Sequence, residues 1–434
     1  MEAYIAIILF TSFFFLVFIG LPISFAIGIA TTLSMIFMFP IDTAISIISQ
    51  RLANGIDNFA LLAIPFFILS GNLMNHGGIA IRLINFAKIL IGNKPGSLYH
   101  VNVLANMMFG SISGSATASA AAVGGTLVKI QQQEKYNPNI SAAVNISSCI
   151  SGLLIPPSNV LIVYSLTAGG ISVGALFVAG YIPGILMGLS VMVVAALLSR
   201  NSFKNSKAEK ITFHDFFTSF WQALPSLLLV VIVVGGIVIG AFTATEASAI
   251  AVLYTFILSV VIYRTISLKQ LPALLLESVI MTSVIMLLVG FSVGMSWAMT
   301  NADIPFWISE SLLSISSDPF TILLLINLIL LIVGIFMDMT PAVLIFAPIF
   351  LPIVQDLNID LIHFGIIMAA NLCIGLCTPP VGTALFVGCS VGEVKVQNVI
   401  KPLLPMYFAL FIIVMLITYI PNLSLFLPKF FGLI

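Results

Sequence analysis

The sequence predicts an all-α polytopic membrane protein with an inverted-topology repeat, two re-entrant helical hairpins and two broken helices. Three observations carry that expectation. First, 60% of the 434 residues are hydrophobic and 7% are charged, a composition that cannot build a water-soluble globular surface. Second, Gly152-Leu153-Leu154-Ile155-Pro156-Pro157 recurs as Gly375-Leu376-Cys377-Thr378-Pro379-Pro380, at a constant offset (375 − 152 = 379 − 156). Third, Lys and Arg gather in a few short segments, and none falls between Lys269 and Lys395. Paired interruptions in matching halves are the best sequence pointer to the site of a secondary transporter.

Apolar runs over 4–39, 141–166, 224–263, 321–353 and 403–427 suit bilayer crossing, which takes roughly 20 residues per helix. Exposed peptide groups are too costly in lipid for open irregular backbone. The runs are continuous rather than alternating, which argues against a β-barrel. About ten to twelve spans or half-spans are expected. Zero formal net charge leaves no nucleic-acid footprint. No basic region precedes the first apolar run, so no cleaved signal peptide is expected.

The elements follow in order. The run 4–39 is expected to turn near Gly20-Leu21-Pro22, with the N-terminus outside if the halves mirror each other. The segment 101–128 lies between Arg82, Lys88, Lys94 and Lys129. Positive charge marks both of its ends as cytoplasmic, so it reads as a hairpin entering from inside, with its tip at 113–117. After the polar loop 129–139, with Lys129 and Lys135, the segment 141–168 crosses outward, broken at Pro156-Pro157-Ser158. Asn93-Lys94-Pro95-Gly96 and 204–212 read as surface loops.

Arg200, Lys204, Lys207 and Lys210 keep the next loop inside and divide the chain into repeats 1–210 and 211–434. Then 224–241 goes out, 247–263 returns to Arg264 and Lys269, and 271–300 goes out again. The segment 321–353 starts and ends among acidic residues outside. Its 33 residues of helix reach about 50 Å, short of the ~60 Å that two crossings need, so it reads as a hairpin from outside with its tip at Asp338-Met339-Thr340-Pro341. The segment 364–391 crosses inward, broken at Thr378-Pro379-Pro380, to Lys395 and Lys401, and 403–427 goes out.

Chemistry concentrates at the tips and breaks. The first tip reads Gly110-Ser111-Ile112-Ser113-Gly114-Ser115-Ala116-Thr117-Ala118-Ser119. Hydroxyls spaced through an apolar hairpin can ligate Na⁺ or hydrogen-bond a substrate. A broken helix exposes carbonyls, which suit a hard cation, and amides, which suit a carboxylate. The competing reading is small-residue packing, for which Gly110/Gly114, Gly184/Gly188, Gly236/Gly240 and Gly290/Gly294 have the spacing. Each Pro-Pro pair removes two amide donors and disfavours helix before it. Ser158, Asn159, Thr378 and Thr383 flank the breaks as candidate ligands.

Asp338 is the lone acid of the second hairpin. An intramembrane acid is a functional candidate by default; capping the helix that follows is the alternative, and both roles can hold. Glu246 and Glu277 lie near span ends. His76, His100, His214 and His363 are expected in polar segments without clustering, and Cys149, Cys373, Cys377 and Cys389 as small packing residues. No P-loop motif is present. Neither tip nor break carries Lys or Arg, so an anion there must be held by helix ends, hydroxyls and bound cations.

At these residues the chain resembles the large membrane subunit of the tripartite ATP-independent periplasmic (TRAP) transporters over essentially its whole length. The resemblance is carried by Leu62-Ala63-Ile64-Pro65-Phe66-Phe67-Ile68-Leu69-Ser70-Gly71, Phe109-Gly110-Ser111-Ile112-Ser113-Gly114-Ser115-Ala116, Ile155-Pro156-Pro157-Ser158 and Met337-Asp338. It implies an ion-transporter-like, elevator-type permease of the bacterial inner membrane, driven by Na⁺. Its partners would be a small membrane subunit and a periplasmic binding protein that delivers an organic acid, such as a sialic acid or C4-dicarboxylate. The family's two Na⁺ sites map here onto Ser113, Gly114, Ser115 and Thr117 with Gly152, Ile155, Pro156 and Ser158, and onto Gly334, Asp338 and Thr340 with Gly375, Cys377, Thr378 and Pro379. Ser115, Asn159, Thr340 and Thr383 are the substrate candidates. The acidic loops of Asp303, Glu310 and Asp318 either dock the binding protein or are simply solvated. One departure stands out: where the family's first hairpin commonly carries an acid after Gly-Ser-Ala-x-Ala, this chain has Ser119. A stand-alone Na⁺/anion symporter or antiporter is the rival reading. An intramembrane protease would need a second catalytic aspartate, and no matching apolar segment supplies one.

Overall fold

A computed structural model of the chain describes residues 2–92, 96–199, 213–316 and 318–434. The basic stretch from Arg200 to Lys210 and the turn Asn93-Lys94-Pro95, both expected as loops, lie outside the described residues. Within them the chain is helical throughout, with no strand.

The first half opens with α1 (Glu2–Phe18) and α2 (Ile23–Met38), which pack on each other. The turn between them falls at Gly20-Leu21-Pro22, as expected, with Gly20 at φ +89. Then come α3 (Ile41–Ile56), a 3₁₀ turn (Phe59–Leu62), α4 (Ala63–His76) and α5 (Ile79–Ile91). Helix α5 buries Ile79, Ala80, Leu83, Ile84 and Ala87 along one face, the spacing of an amphipathic helix. Next are α6 (Ser97–Ser113) and α7 (Ala116–Gln133), joined at Gly114-Ser115. The broken helix consists of α8 (Pro138–Cys149), α9 (Ser151–Leu154) and α10 (Asn159–Thr167), bent by 48° at residues 155–158. Helix α11 (Val173–Ser199) follows.

The second half contains α12 (Phe213–Val238), α13 (Ala244–Phe256) running into a π-helical turn (Ile257–Ile262), α14 (Leu271–Asn301) and α15 (Ile304–Ile315). Helices α16 (Pro319–Phe336) and α17 (Met339–Asp356) meet at Met337-Asp338. Helices α18 (Leu361–Cys377) and α19 (Thr383–Val391) are separated by residues 378–382, and α20 (Val396–Tyr419) and α21 (Asn422–Phe430) end the chain. Eight helices among the described residues are long and apolar enough to cross a membrane, nine if the bent pair is one span.

Helix starts repeat at the motif's offset. Ala116 and Met339, Pro138 and Leu361, and Val173 and Val396 each open a helix, and the three pairs share one spacing (339 − 116 = 361 − 138 = 396 − 173). The caps repeat too: Asn137 and Asp360 each accept backbone amides of the first turn that follows, satisfying donors that a helix start leaves free. Packing is exchanged between halves. Helix α10 lies on α17, and α19 lies on α7. Helix α14 packs against α2, α3, α4 and α17, so it borders both the N-terminal helices and the second helix pair.

Glycine sets the closest crossings. A Cβ on Gly110 would sit 2.9 Å from the Gly152 Cα, and one on Gly375 would sit 2.5 Å from the Gly334 Cα. Only a residue without a side chain permits helix axes that close. Gly110 and Gly152 join α6 to α9; Gly334 and Gly375 join α16 to α18.

Several expectations change. The helix pairs are longer than 101–128 and 321–353: the first runs from Ser97 to Gln133, and Asp318 caps α16 so that the second runs from Pro319 to Asp356. Each arm of the second pair has 18 residues and is by itself long and apolar enough to cross a membrane, so length alone no longer argues against two crossings. Helix α12 begins at Phe213 rather than at 224, with Pro225 inside it. Glu310 sits on helix α15, not in a loop, while Asp303 and Asp318 are the N-caps of α15 and α16. His363 is not in a polar segment: it is 2% exposed, with its ring nitrogens beside Ser424 Oγ (2.7 Å) and the Thr418 carbonyl (3.2 Å).

Candidate functional site

The joint of α6 and α7 is shaped by two residues. Gly114 takes φ +61, which glycine adopts without steric cost. Ser115 then caps α7, its hydroxyl accepting the Ala118 amide at 3.3 Å and lying 3.1 Å from Thr117 Oγ1. Ser113 Oγ donates to the Ser115 carbonyl at 3.4 Å. In the second half Asp338 takes the equivalent place, at the motif's own offset (338 − 115 = 375 − 152), its carboxylate accepting the Met339 amide at 2.6 Å. Both expected roles of Asp338 are therefore compatible: it caps α17, and its side chain opens onto a cavity.

That cavity, about 200 Å³, is where the four joints converge. Ser113 to Ala118, Asn159 and Val160, Asp338 to Thr340, and Thr383 line it. Ser115 to Ala118, Asn159, Asp338 to Thr340 and Thr383 stand at the starts of α7, α10, α17 and α19, so four helix N-termini face one space, together with the C-terminal ends of α6, α9 and α18 at Ser113, Leu153 and Leu376. The N-terminal ends offer amides and positive dipole to an anion, and the C-terminal ends offer carbonyls to a cation. No Lys or Arg lines the cavity, and Asp338 is its one carboxylate among the described residues.

All four substrate candidates, Ser115, Asn159, Thr340 and Thr383, meet there, as do Ser113, Gly114, Thr117 and Asp338. Gly114 approaches the first break: a Cβ on it would sit 3.3 Å from Asn159 Nδ2 and 3.9 Å from the Pro157 carbonyl. The remaining cation candidates lie behind the lining. Gly152, Gly334 and Gly375 are the helix crossings described above. Ile155, Pro156 and Ser158 are buried in the first break, and both Pro-Pro bonds, Pro156-Pro157 and Pro379-Pro380, are cis. Cys377 is turned away, its thiol donating to the Ile146 carbonyl at 3.0 Å and its own carbonyl accepting the Tyr407 hydroxyl. Thr378 Oγ1 donates to the Ile374 carbonyl at 2.8 Å. A Cβ on Gly382 would sit 2.7 Å from both the Leu376 and Thr378 carbonyls, which thus converge at the second break beside Pro379.

Sequence reading missed two contributions. Ile68, Gly71 and Asn72 of α4 and Met281 and Ile285 of α14 complete the cavity wall. Gly71 touches the first joint: a Cβ there would sit 2.8 Å from the Ser113 carbonyl. Ser70-Gly71-Asn72 inside an apolar run was the available signal. Behind the first joint lies a buried polar cluster. The two hydrogens of Asn106 Nδ2 are shared among Asn102 Oδ1 (2.7 Å), Ser148 Oγ (2.8 Å) and Asn145 Oδ1 (3.0 Å). Ser119, where the family commonly has an acid, is fully buried and donates to Asn106 Oδ1 at 2.7 Å. That position therefore serves the cluster and not the cavity. In the second half Asn371 Nδ2 donates to Asn327 Oδ1, and Asn327 Nδ2 to Thr418 Oγ1 at 3.1 Å. Among the described residues no three His, Cys, Asp or Glu side chains come together to hold a metal.

Residues 10–423 match the family model described as the tripartite ATP-independent periplasmic transporter, DctM component. The chain is 57% identical to the Salmonella typhimurium protein YgiK, covering 99% of this chain and 98% of that one. It is 38% identical to the sialic acid TRAP transporter large permease protein SiaM of Vibrio cholerae, over 96% of each chain. It is 36% identical to the 2,3-diketo-L-gulonate TRAP transporter large permease protein YiaN of Escherichia coli, over 93% of this chain and 94% of that one. Among solved structures the Alcanivorax borkumensis YdaH transporter shares the fold, with TM-score 0.65 and 10% identity over 87% of this chain and 88% of that one. The chain belongs to the DctM family, the large permease components of TRAP transporters, and is a multi-pass protein of the inner membrane.

Proposed function

We propose that this chain is the large permease subunit of a Na⁺-coupled importer of a small organic acid. A periplasmic binding protein delivers the acid, and a small membrane subunit flanks the permease. One observation carries the reading: four helix N-termini and one carboxylate, Asp338, share a cavity with no Lys or Arg. The amide ends attract a carboxylate, but Asp338 repels it. At about 4 Å two like charges cost roughly 4 kcal/mol at an effective dielectric near 20. A bound cation beside Asp338 removes that cost, which couples substrate to Na⁺. The carbonyls turned toward the joints by the two breaks, with Ser113, Ser115 and Thr340, are the oxygen ligands such a cation takes.

In this reading residues 1–210 and 211–434 are inverted repeats and the two helix pairs are re-entrant. The constant offset between matching helix starts and the exchanged packing of α10 on α17 and α19 on α7 support it. The helix pairs and broken helices then move as one body against α14 and the N-terminal helices α2 to α4, carrying the central site across the membrane as an elevator. The substrate classes follow from the relatives: a sialic acid, a C4-dicarboxylate or a sugar acid.

The test is Na⁺-driven uptake of labelled acid by vesicles holding the chain with its small subunit and binding protein. Ser115→Ala and Thr340→Ala are expected to lower uptake about tenfold each, the worth of one charge-assisted hydrogen bond. Unchanged uptake and unchanged Na⁺ dependence in both would refute the proposed site.

A further inference from the structure

A second cavity, about 450 Å³, adjoins the same helices. Val163, Leu166 and Thr167 of α10, Leu344 and Pro348 of α17, and the face of α14 from Val289 to Thr300 line it. The same three helices line the central cavity nearer their N-termini, at Asn159, Thr340 and Ile285. From Asn159 to Thr167, or from Thr340 to Pro348, a helix rises about 12 Å. The two cavities are thus successive stations along one wall of three helices.

Unlike the central cavity, this one holds a cation. Arg51 of α3 is exposed into it, its guanidinium carbon 5.2 Å from the centre of the Trp297 ring. Stacking on an aromatic face holds a guanidinium while leaving its edge N–H groups free. No Asp or Glu lines the cavity among the described residues. Helix α14 adds Ser292, Ser296 and Thr300, spaced by four residues along one face. Ser292 is 2% exposed, and its hydroxyl has no hydrogen-bond partner in the protein. A buried hydroxyl left unpaired is costly, and a polar ligand in the cavity would satisfy it. In the topology expected from the basic residues, the C-terminal ends of α10, α14 and α17 face outside, the side from which basic residues are generally depleted.

We propose that this cavity is an outer binding site for the carboxylate of the organic acid, with Arg51 as its bidentate charged partner and Ser292 as a hydroxyl partner. Its place on the import route rests on the function proposed above; its chemistry does not. Because its charge is built in, it binds without Na⁺, whereas the central cavity requires Na⁺.

Trp297 makes the site observable. In the full chain in lipid nanodiscs, Trp221→Phe and Trp307→Phe leave Trp297 as the sole tryptophan of three. Its fluorescence is titrated with succinate and with N-acetylneuraminate in Na⁺-free buffer, with succinamide as the neutral control. The expected result is a saturable response to at least one acid and none to succinamide. Arg51→Gln raises the half-saturating concentration about tenfold or more, Arg51→Lys restores part of the affinity, and Ser115→Ala changes nothing. Three results would overturn the proposal: no saturable response to either acid, an equal response in Arg51→Gln, or a response abolished by Ser115→Ala. Failure of Na⁺-driven uptake would leave this Na⁺-free response intact, so the two readings fail separately.

Discussion

Asp338 and Ser115 occupy matching places in the two halves, and each caps the second helix of its pair. They differ in charge, and that asymmetry decides what the cavity can hold. Asp338→Asn keeps a capping oxygen but removes the charge that calls for a cation. We expect α17 to survive the change, while the Na⁺ concentration for half-maximal uptake rises about tenfold, read from uptake against Na⁺ at fixed acid. Gly375 makes a different demand. With the Gly334 carbonyl and Cα within van der Waals range of any added carbon, Gly375→Ala forces α16 and α18 apart. Overpacking of this kind costs about 1–3 kcal/mol, and a lowered melting temperature of the purified chain checks it. Sequence spacing alone left open whether such glycines pack or bind; the crossing of Gly334 on Gly375 answers for packing. Ser119 could not be assigned from sequence at all, because its partner Asn106 stands 13 residues away on another helix.

At the scale of elements, the breaks matter because they bring helix starts into the cavity. Asn159 and Thr383 stand at the first turns of α10 and α19 only because residues 155–158 and 378–382 are not helical. Replacing Pro156 and Pro157 with alanine restores two amide donors and allows α8 to α10 to run on as one helix. Uptake is expected to fall below detection while the far-ultraviolet dichroism keeps its helical form. The Pro-Pro pairs made these breaks legible in sequence, since proline acts locally. The asparagine cluster behind the first joint was not legible, because its members come from α6 and α8 and are assembled by tertiary packing. Asn106→Leu leaves Asn102, Asn145 and Ser148 short of a donor. A loss of about 1–3 kcal/mol is expected, seen as earlier unfolding in denaturant. The length argument for the second pair failed for a related reason. Caps at Asp318 and Asp338 fix where helices start, and hydropathy does not register them.

At the scale of the whole molecule, the motif offset read from the sequence reappears in helix starts from Ala116 to Val396, so it extends far beyond the two short breaks. What the sequence could not display is the exchange of partners between halves, α10 on α17 and α19 on α7, which places all four helix starts around one cavity. The cavity lacks a fixed positive charge, so the account makes the acid depend on Na⁺ and its delivery depend on the binding protein. The decisive measurement is uptake into proteoliposomes holding this chain with its small subunit. Labelled sialic acid and labelled succinate are tested separately, each with a cognate binding protein. The account predicts that one acid accumulates, and only when an inward Na⁺ gradient and its binding protein are both present. Accumulation without Na⁺ would contradict the cation-completed cavity, and accumulation without the binding protein would make the chain a stand-alone carrier.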